Sequence, residues 1–172
     1  MQLGNRDDAA FAEFVRARTP ALLRTAYLLT GDQGAAEDLV QTALVKVAGR
    51  WARISARGDP EPYVRTVLYR EHVSRWRHHR VDEVQLVDGE LPGPATGGHD
   101  DQVAVALTLE AALAHLAPRQ RAVVVLRYFD DLSETAAAEA LGCSVGTVRS
   151  QTFKAIARLR ALAPELLEEV RS

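Results

Sequence analysis

Residues Leu132 to Leu159, LSETAAAEALGCSVGTVRSQTFKAIARL, constrain the fold more than any other stretch, because they spell a short helix, a tight turn and a longer helix. Ser133 is placed to cap the first helix, Ala136, Ala137, Ala138 and Ala140 favour helix and allow close packing, and Gly142 stands where that helix must stop and reverse. Ser144 then caps the second helix. In it Val145, Val148, Thr152, Ile156 and Leu159 recur at steps of three and four, which makes one inward stripe and leaves Arg149, Ser150, Lys154 and Arg158 outside. An exposed face of short polar and cationic groups near a helix N-terminus suits the major groove. There arginine forks to guanine O6 and N7, and serine reaches phosphates or base edges. The alternative is a helical hairpin whose cations are only solvated; the composition of the motif favours DNA.

The chain of 172 residues is 47% apolar and 26% charged, which suits one or two small globular domains rather than disorder. No apolar run approaches the ~20 residues of a membrane span, and the start MQLGNRDDAAF lacks the basic and apolar regions of a signal peptide, so a cytoplasmic protein with no membrane contact is expected. The single cysteine, Cys143, excludes an internal disulfide and a cysteine-rich zinc site, and its place between Gly142 and Ser144 reads as a small apolar side chain.

A net charge of −2 looks wrong for a nucleic-acid binder until it is divided along the chain. Residues 1–81 hold 13 Arg and Lys against 9 acids, residues 82–102 hold none against 6, and residues 103–172 hold 8 of each. A basic domain, an acidic tether and a neutral domain result. The tether, DEVQLVDGELPGPATGGHDDQ, carries prolines, glycines and acids without any period and reads as a flexible linker. Fully extended at ~3.3 Å per residue it spans roughly 70 Å, so the two domains can work at distant places on one partner.

In the first domain Phe11, Phe14, Val15, Leu22, Leu23, Ala26 and Leu29 form a helical stripe, with Pro20 marking a kink or a new first turn and Thr30-Gly31-Asp32 closing it. Gln33 to Trp51 is strongly amphipathic. Ala36, Leu39, Val40, Ala43, Leu44, Val47 and Trp51 line one side, and Asp38, Gln41 and Val45 line another that suits either solvent or a partner helix. Arg53 to Pro62 is rich in turn formers and reads as a loop. A helix follows from Glu61 to about Arg80. Tyr63, Val64, Val67 and Leu68 make its buried face, and Arg65, Tyr69, His72 and Trp76 gather opposite, with Arg75, Arg77 and Arg80 nearby. Aromatics among arginines suit stacking on unpaired bases with phosphates neutralised alongside; Trp76 packing on its own domain is the competing reading. His72, His78 and His79 make no metal site, because neighbouring histidines on a helix diverge and no carboxylate or cysteine completes a tetrahedral set.

Beyond the tether, Val103–Leu116 and Pro118–Phe129 are two further helices, so the second domain has four, with Leu107, Leu113, Leu116, Val125 and Leu126 as core. Arg119 and Arg121 are candidates for phosphate contact or for a solvated first turn. Pro164–Ser172 reads as a frayed end. The fold class is all-α, two small helical domains joined by an acidic linker.

These residues resemble the extracytoplasmic-function (ECF) sigma factors of the sigma-70 family, and most of all the actinobacterial SigE-like group. Ala36 to Trp51, AEDLVQTALVKVAGRW, is similar to the family's polymerase-docking helix; Glu61 to Arg80 to the helix that recognises and melts the minus 10 element; and Ala117 to Gln151 to the domain that reads minus 35. Tyr63, Glu71-His72 and Thr152 depart from the common pattern. The resemblance implies a sigma region 2-like domain at 1–81, a linker at 82–102 threading towards the polymerase RNA channel, and a sigma region 4-like domain at 103–172. It implies core RNA polymerase as partner, through the clamp helices of the largest subunit and the flap, with promoter DNA as the second partner, and it admits an anti-sigma factor as a third. Asp38, Leu39, Val40, Gln41 and Val45 would bind polymerase. Arg65, Tyr69, His72, Trp76, Arg77 and Arg80 would meet minus 10 DNA, the loop Ser55–Glu61 would accept a flipped base, and Arg149, Ser150, Phe153, Lys154, Arg119 and Arg121 would meet minus 35 DNA. No cofactor, metal or catalytic residue is implied. The rival class is a self-sufficient helix-turn-helix regulator binding an operator as a dimer, which leaves the docking and basic-aromatic helices without a role. An enzyme is weaker still, since no nucleophile sits beside a base and no glycine-rich phosphate loop follows a strand.

Overall fold

The structure of the chain, a computed structural model, describes residues 3–84 and 109–162. Linker residues 85–102, the expected helical residues 103–108 and the C-terminal stretch 164–172 lie outside them. All regular elements among the described residues are helical.

The first unit is α1 (Leu3–Thr30), α2 (Gln33–Ala48), α3 (Trp51–Ser55) and α4 (Glu61–Val84). Helix α1 runs through Pro20 as one element, so the expected kink or restart is not an element boundary. Its end is fixed locally: Gly31 takes φ +73°, a conformation glycine adopts without the Cβ penalty, and the Asp32 carboxylate caps α2 by accepting from Ala35 N at 2.7 Å. The buried stripe of α2 is Ala36, Leu39, Val40, Ala43 and Val47. Trp51 does not continue it, because α2 stops at Ala48 and Trp51 opens the short α3 within a stretch read partly as loop. There its ring is held by Phe11 and Phe14, at centroid distances of 5.1 and 5.0 Å.

The second unit is α5 (Leu109–Ala114), α6 (Pro118–Val124), a π-helical turn (Val125–Phe129), α7 (Glu134–Leu141) and α8 (Val145–Leu162). The helix-turn-helix forms as its capping residues dictate. Ser133 Oγ accepts from Ala136 N and Ser144 Oγ from Thr147 N, both at 3.1 Å, and Gly142 sits in the left-handed region at φ +63°. Leu113, Val123, Leu126, Ala137, Val148, Ala155 and Leu159 are buried between these helices. The π turn closes with Asp130 N donating to Val125 O at 3.1 Å; it leaves Tyr128 and Phe129 exposed and turns the Asp130 carboxylate towards the first unit. The two units pack on each other, α4 against α6 and α7, and the end of α1 against α6 and the π turn.

Candidate polymerase and nucleic-acid interfaces

Helix α2 divides the expected docking residues. Asp38 and Gln41 are exposed, as is Val45 at 69%, whereas Leu39 is 0% exposed and Val40 is buried with it. Both follow from helical geometry, because positions 38, 41 and 45 lie on one face and 39, 40, 43 and 47 on the other. Leu39 and Val40 therefore build the helix's support, and of the five expected residues only Asp38, Gln41 and Val45 reach the surface. Arg75 of α4 braces that face from behind, donating to Thr42 Oγ1 at 2.7 Å and Asp38 O at 3.1 Å, and Lys46 pairs with Glu71.

Helix α4 corrects the sequence-based assignment of faces. Its core side is Val64, Leu68, Tyr69 and Val73; Tyr69 is 1% exposed, while Tyr63, expected inside, is exposed. The periodicity alone was ambiguous, because a helix packed on two neighbours buries more than one stripe. Arg65 is engaged by Glu61 at 2.9 Å, Asp130 at 2.6 Å and Thr25 Oγ1 at 3.1 Å. Trp76 is half-buried with the Arg119 guanidinium 5.4 Å from its ring centroid. Arg77 is exposed, and the Arg80 side chain lies outside the described residues. Arg65, Tyr69, His72 and Trp76 thus turn inward or onto the second unit in this arrangement, not into solvent.

His72 lines a cavity of about 20 Å³ with Trp76, Pro118, Arg119, Ala122 and Cys143. Burial first, then the charges of Arg121 and Arg75, push its pKa down from 6.5 to about 4. A depressed imidazole pKa means that the folded chain binds fewer protons than the unfolded one between those values. The stability tied to neutral His72 is therefore complete above pH 6.5 and is lost as pH falls towards 4. Across that window the wild type is expected to lose up to about 3 kcal/mol more than His72→Gln. Thermal melts of both at stepped pH check this, and parallel pH profiles would contradict it. Burial raises the Asp130 carboxyl above its usual range, against the opposing pull of Arg65.

Sequence reasoning missed a cleft of about 350 Å³ lined by Arg50, Arg53, Ile54, Arg57, Asp59, Pro62, Tyr63 and Thr66. It opens beside the Ser55–Glu61 loop. The signal was present in three arginines spaced at i, i+3 and i+7, but the turn formers around them masked a helical start.

In the second unit Arg149, Ser150 and Lys154 are exposed and Phe153 is exposed at 77%, while Val148, Ala155 and Leu159 face inward. The expected outward face of α8 is thereby assembled, with Ala155 joining the inward stripe. Arg149 Nε donates to Glu134 Oε2 of α7 at 2.7 Å. The expectation of an exposed Arg121 is corrected: it is 8% exposed and its Nε donates to Leu28 O of α1 at 2.6 Å. Among the described residues no helix is long and apolar enough to cross a membrane.

Residues 14–81 match the family described as Sigma-70 region 2, and residues 106–159 match Sigma-70, region 4. The chain is 41% identical over 150 residues to the RNA polymerase sigma-E factor of Streptomyces avermitilis, covering 87% of this chain and 83% of that protein. It is 31% identical over 169 residues to the ECF RNA polymerase sigma factor SigL of Mycobacterium tuberculosis, covering 92% and 93%. Among solved structures it resembles the sigma factor RpoE of Bartonella quintana in complex with the anti-sigma factor NepR, with a TM-score of 0.62, 28% identity and coverage of 89% of this chain and 96% of that one. A helix-turn-helix with an outward cationic face, two matched sigma-70 regions in order and relatives covering 87% or more of the chain place it in the sigma-70 family, as an ECF sigma factor similar to the SigE group.

Proposed function

We propose that this sigma factor docks on core RNA polymerase through Asp38, Gln41 and Val45, reads a minus 35 element with Arg149, Ser150, Phe153 and Lys154, and works on minus 10 DNA with α4 and the arginine-lined cleft. The cleft, with Arg50, Arg53 and Arg57 around Tyr63, offers phosphate neutralisation and a stacking ring at the mouth of the loop assigned to a flipped base. The division into a first domain, an acidic linker and a second domain at 103–172 follows from this reading, with the first boundary moved from 81 to the end of α4 at Val84, as do a cytoplasmic location, an anti-sigma partner and the absence of any catalytic step. The observation that carries it is the exposure of a polar-apolar docking face on α2 together with an exposed cationic face on α8.

Co-purification with core polymerase tests the docking half. Asp38→Ala combined with Gln41→Ala is expected to weaken polymerase binding while leaving helicity and melting temperature nearly unchanged, since both side chains are exposed. Tight binding by the double variant contradicts the assignment.

Arg149 is poised for base reading because Glu134 holds its Nε, leaving the terminal amino groups for a guanine edge. Arg149→Ala is expected to cost about 1–3 kcal/mol and relax preference at one minus 35 base pair. Lys154→Ala, if the ammonium meets phosphate, weakens all sequences alike and reduces the salt slope by roughly one ion. Binding to a panel of single-base variants at several salt concentrations separates the two; equal losses on every variant for Arg149→Ala would remove it as a base reader.

A further inference from the structure

Arg149, on the outward face of α8, does not move freely in solvent. Its Nε donates to Glu134 Oε2 at 2.7 Å, which ties it to the other helix of the helix-turn-helix. Both side chains reach solvent, Arg149 at 68% and Glu134 at 35% exposure. An exposed pair of this kind contributes little to folding, because water screens it and two long side chains lose freedom in making it. What the pair does fix is direction. Glu134 opens α7 directly after the Ser133 cap, whose Oγ accepts from Ala136 N at 3.1 Å, and a carboxylate in a first turn is favoured by the positive end of the helix. Helix α7 is in turn packed on α8, with Ala137, Ala138 and Ala140 buried. The carboxylate therefore stands on a rigid element, and the longer arginine comes to it.

A guanidinium is a rigid planar fork that can meet a partner side-on, through Nε and the adjacent amino group, or end-on, through both amino groups. Glu134 already holds Nε, so the end-on edge is the one left to span guanine O6 and N7. We propose that Glu134 is a specificity-determining residue for minus 35 recognition, which acts by positioning Arg149 and by repelling DNA that lacks the guanine. This rests on the reading of Arg149 as a base reader. Without Glu134 the arginine would keep rotamer freedom that each base contact must then remove, and it could swing to the nearest phosphate of any sequence. The carboxylate also carries negative charge at the recognition face, which opposes the phosphates of every duplex alike. The end-on contact with guanine offsets that repulsion on the correct site only. Specificity is the difference between right and wrong partners, and a repulsive group widens it.

The test uses holoenzyme assembled from core polymerase and the full chain, as wild type, Glu134→Ala, Glu134→Gln, Arg149→Ala and the Glu134→Ala, Arg149→Ala double variant. Binding is measured on a panel of single-base variants of the minus 35 element at several salt concentrations. Glu134→Ala is expected to lower preference about two- to tenfold at the base pair that Arg149→Ala identifies, the effect of leaving one long side chain to be immobilised on contact. On duplexes changed at that pair it is expected to bind more tightly than the wild type, with a steeper salt dependence. Glu134→Gln keeps an oxygen for Nε and drops the charge, so it is expected to retain more of the preference while showing the same gain on changed duplexes. The double variant is expected to show no less preference than Arg149→Ala alone. Melting of the free chains checks folding; should Glu134→Ala melt low, Glu134→Gln decides. A uniform loss across the panel, unchanged profiles, or a preference altered at a different base pair each overturns the proposal, the last by making Glu134 a base reader itself. If Arg149→Ala leaves every preference unchanged in a holoenzyme that transcribes, the reading of Arg149 has failed and the proposal falls with it. That result differs from an Arg149 effect that Glu134→Ala does not share, which overturns the role of Glu134 alone.

Discussion

Leu39→Ala is expected to lose about 2–5 kcal/mol of stability, a large share of the roughly 5–15 kcal/mol that holds a domain of this size folded. The side chain is 0% exposed among Ala36, Val40, Ala43 and Val47 of its own helix, and its removal leaves a void that a packed helical core closes only in part. Any loss of polymerase binding by this variant should therefore track its unfolded fraction. Thermal melting beside polymerase pull-down at a temperature where the variant stays folded makes the distinction. Normal stability with lost binding would return Leu39 to the interface and mean that α2 is rotated from the orientation described.

Tyr69→Ala carries the second large expected effect, about 3–5 kcal/mol, the range of other buried aromatics cut to alanine. The ring is 1% exposed, and its hydroxyl has no hydrogen-bond partner among the described residues. A buried hydroxyl without a partner costs stability, so Tyr69→Phe is expected to fold at least as well as the wild type. It should also open promoters normally. If Tyr69→Phe melts like the wild type but opens promoters slowly, the hydroxyl acts on DNA and the core assignment is wrong.

These two residues mark where the sequence was legible and where it was not. Capping chemistry is local, so Ser133, Gly142 and Ser144 declared the helix-turn-helix, and the side of α8 carrying Arg149 and Lys154 followed from the placement of Val148 and Leu159. Along α2 the three- and four-residue spacing separated Asp38, Gln41 and Val45 from the apolar stripe. What failed was burial by distant neighbours. Leu39 and Val40 lie within a motif associated with docking, yet a motif mixes residues that touch a partner with residues that hold the helix. Helix α4 packs on α2 on one side and on the second unit on another, so Tyr69 and His72, which look like an exposed aromatic face, are enclosed. Arg121 carried no local sign that its guanidinium would find Leu28 O, 93 residues earlier in the chain. A charge on a short helix reads as solvated until the tertiary partner is known.

Transcription by core polymerase from a pooled library of upstream regions, with and without this chain, tests the central claim most directly. Added chain is expected to produce transcripts that start at a fixed distance from a shared pair of upstream elements, and Arg149→Ala should change the preferred base at one position of the farther element only. If the chain binds specific duplexes alone, as a dimer, while transcript starts are the same with and without it, it is a free-standing DNA binder and the account given for α2 and α4 is wrong.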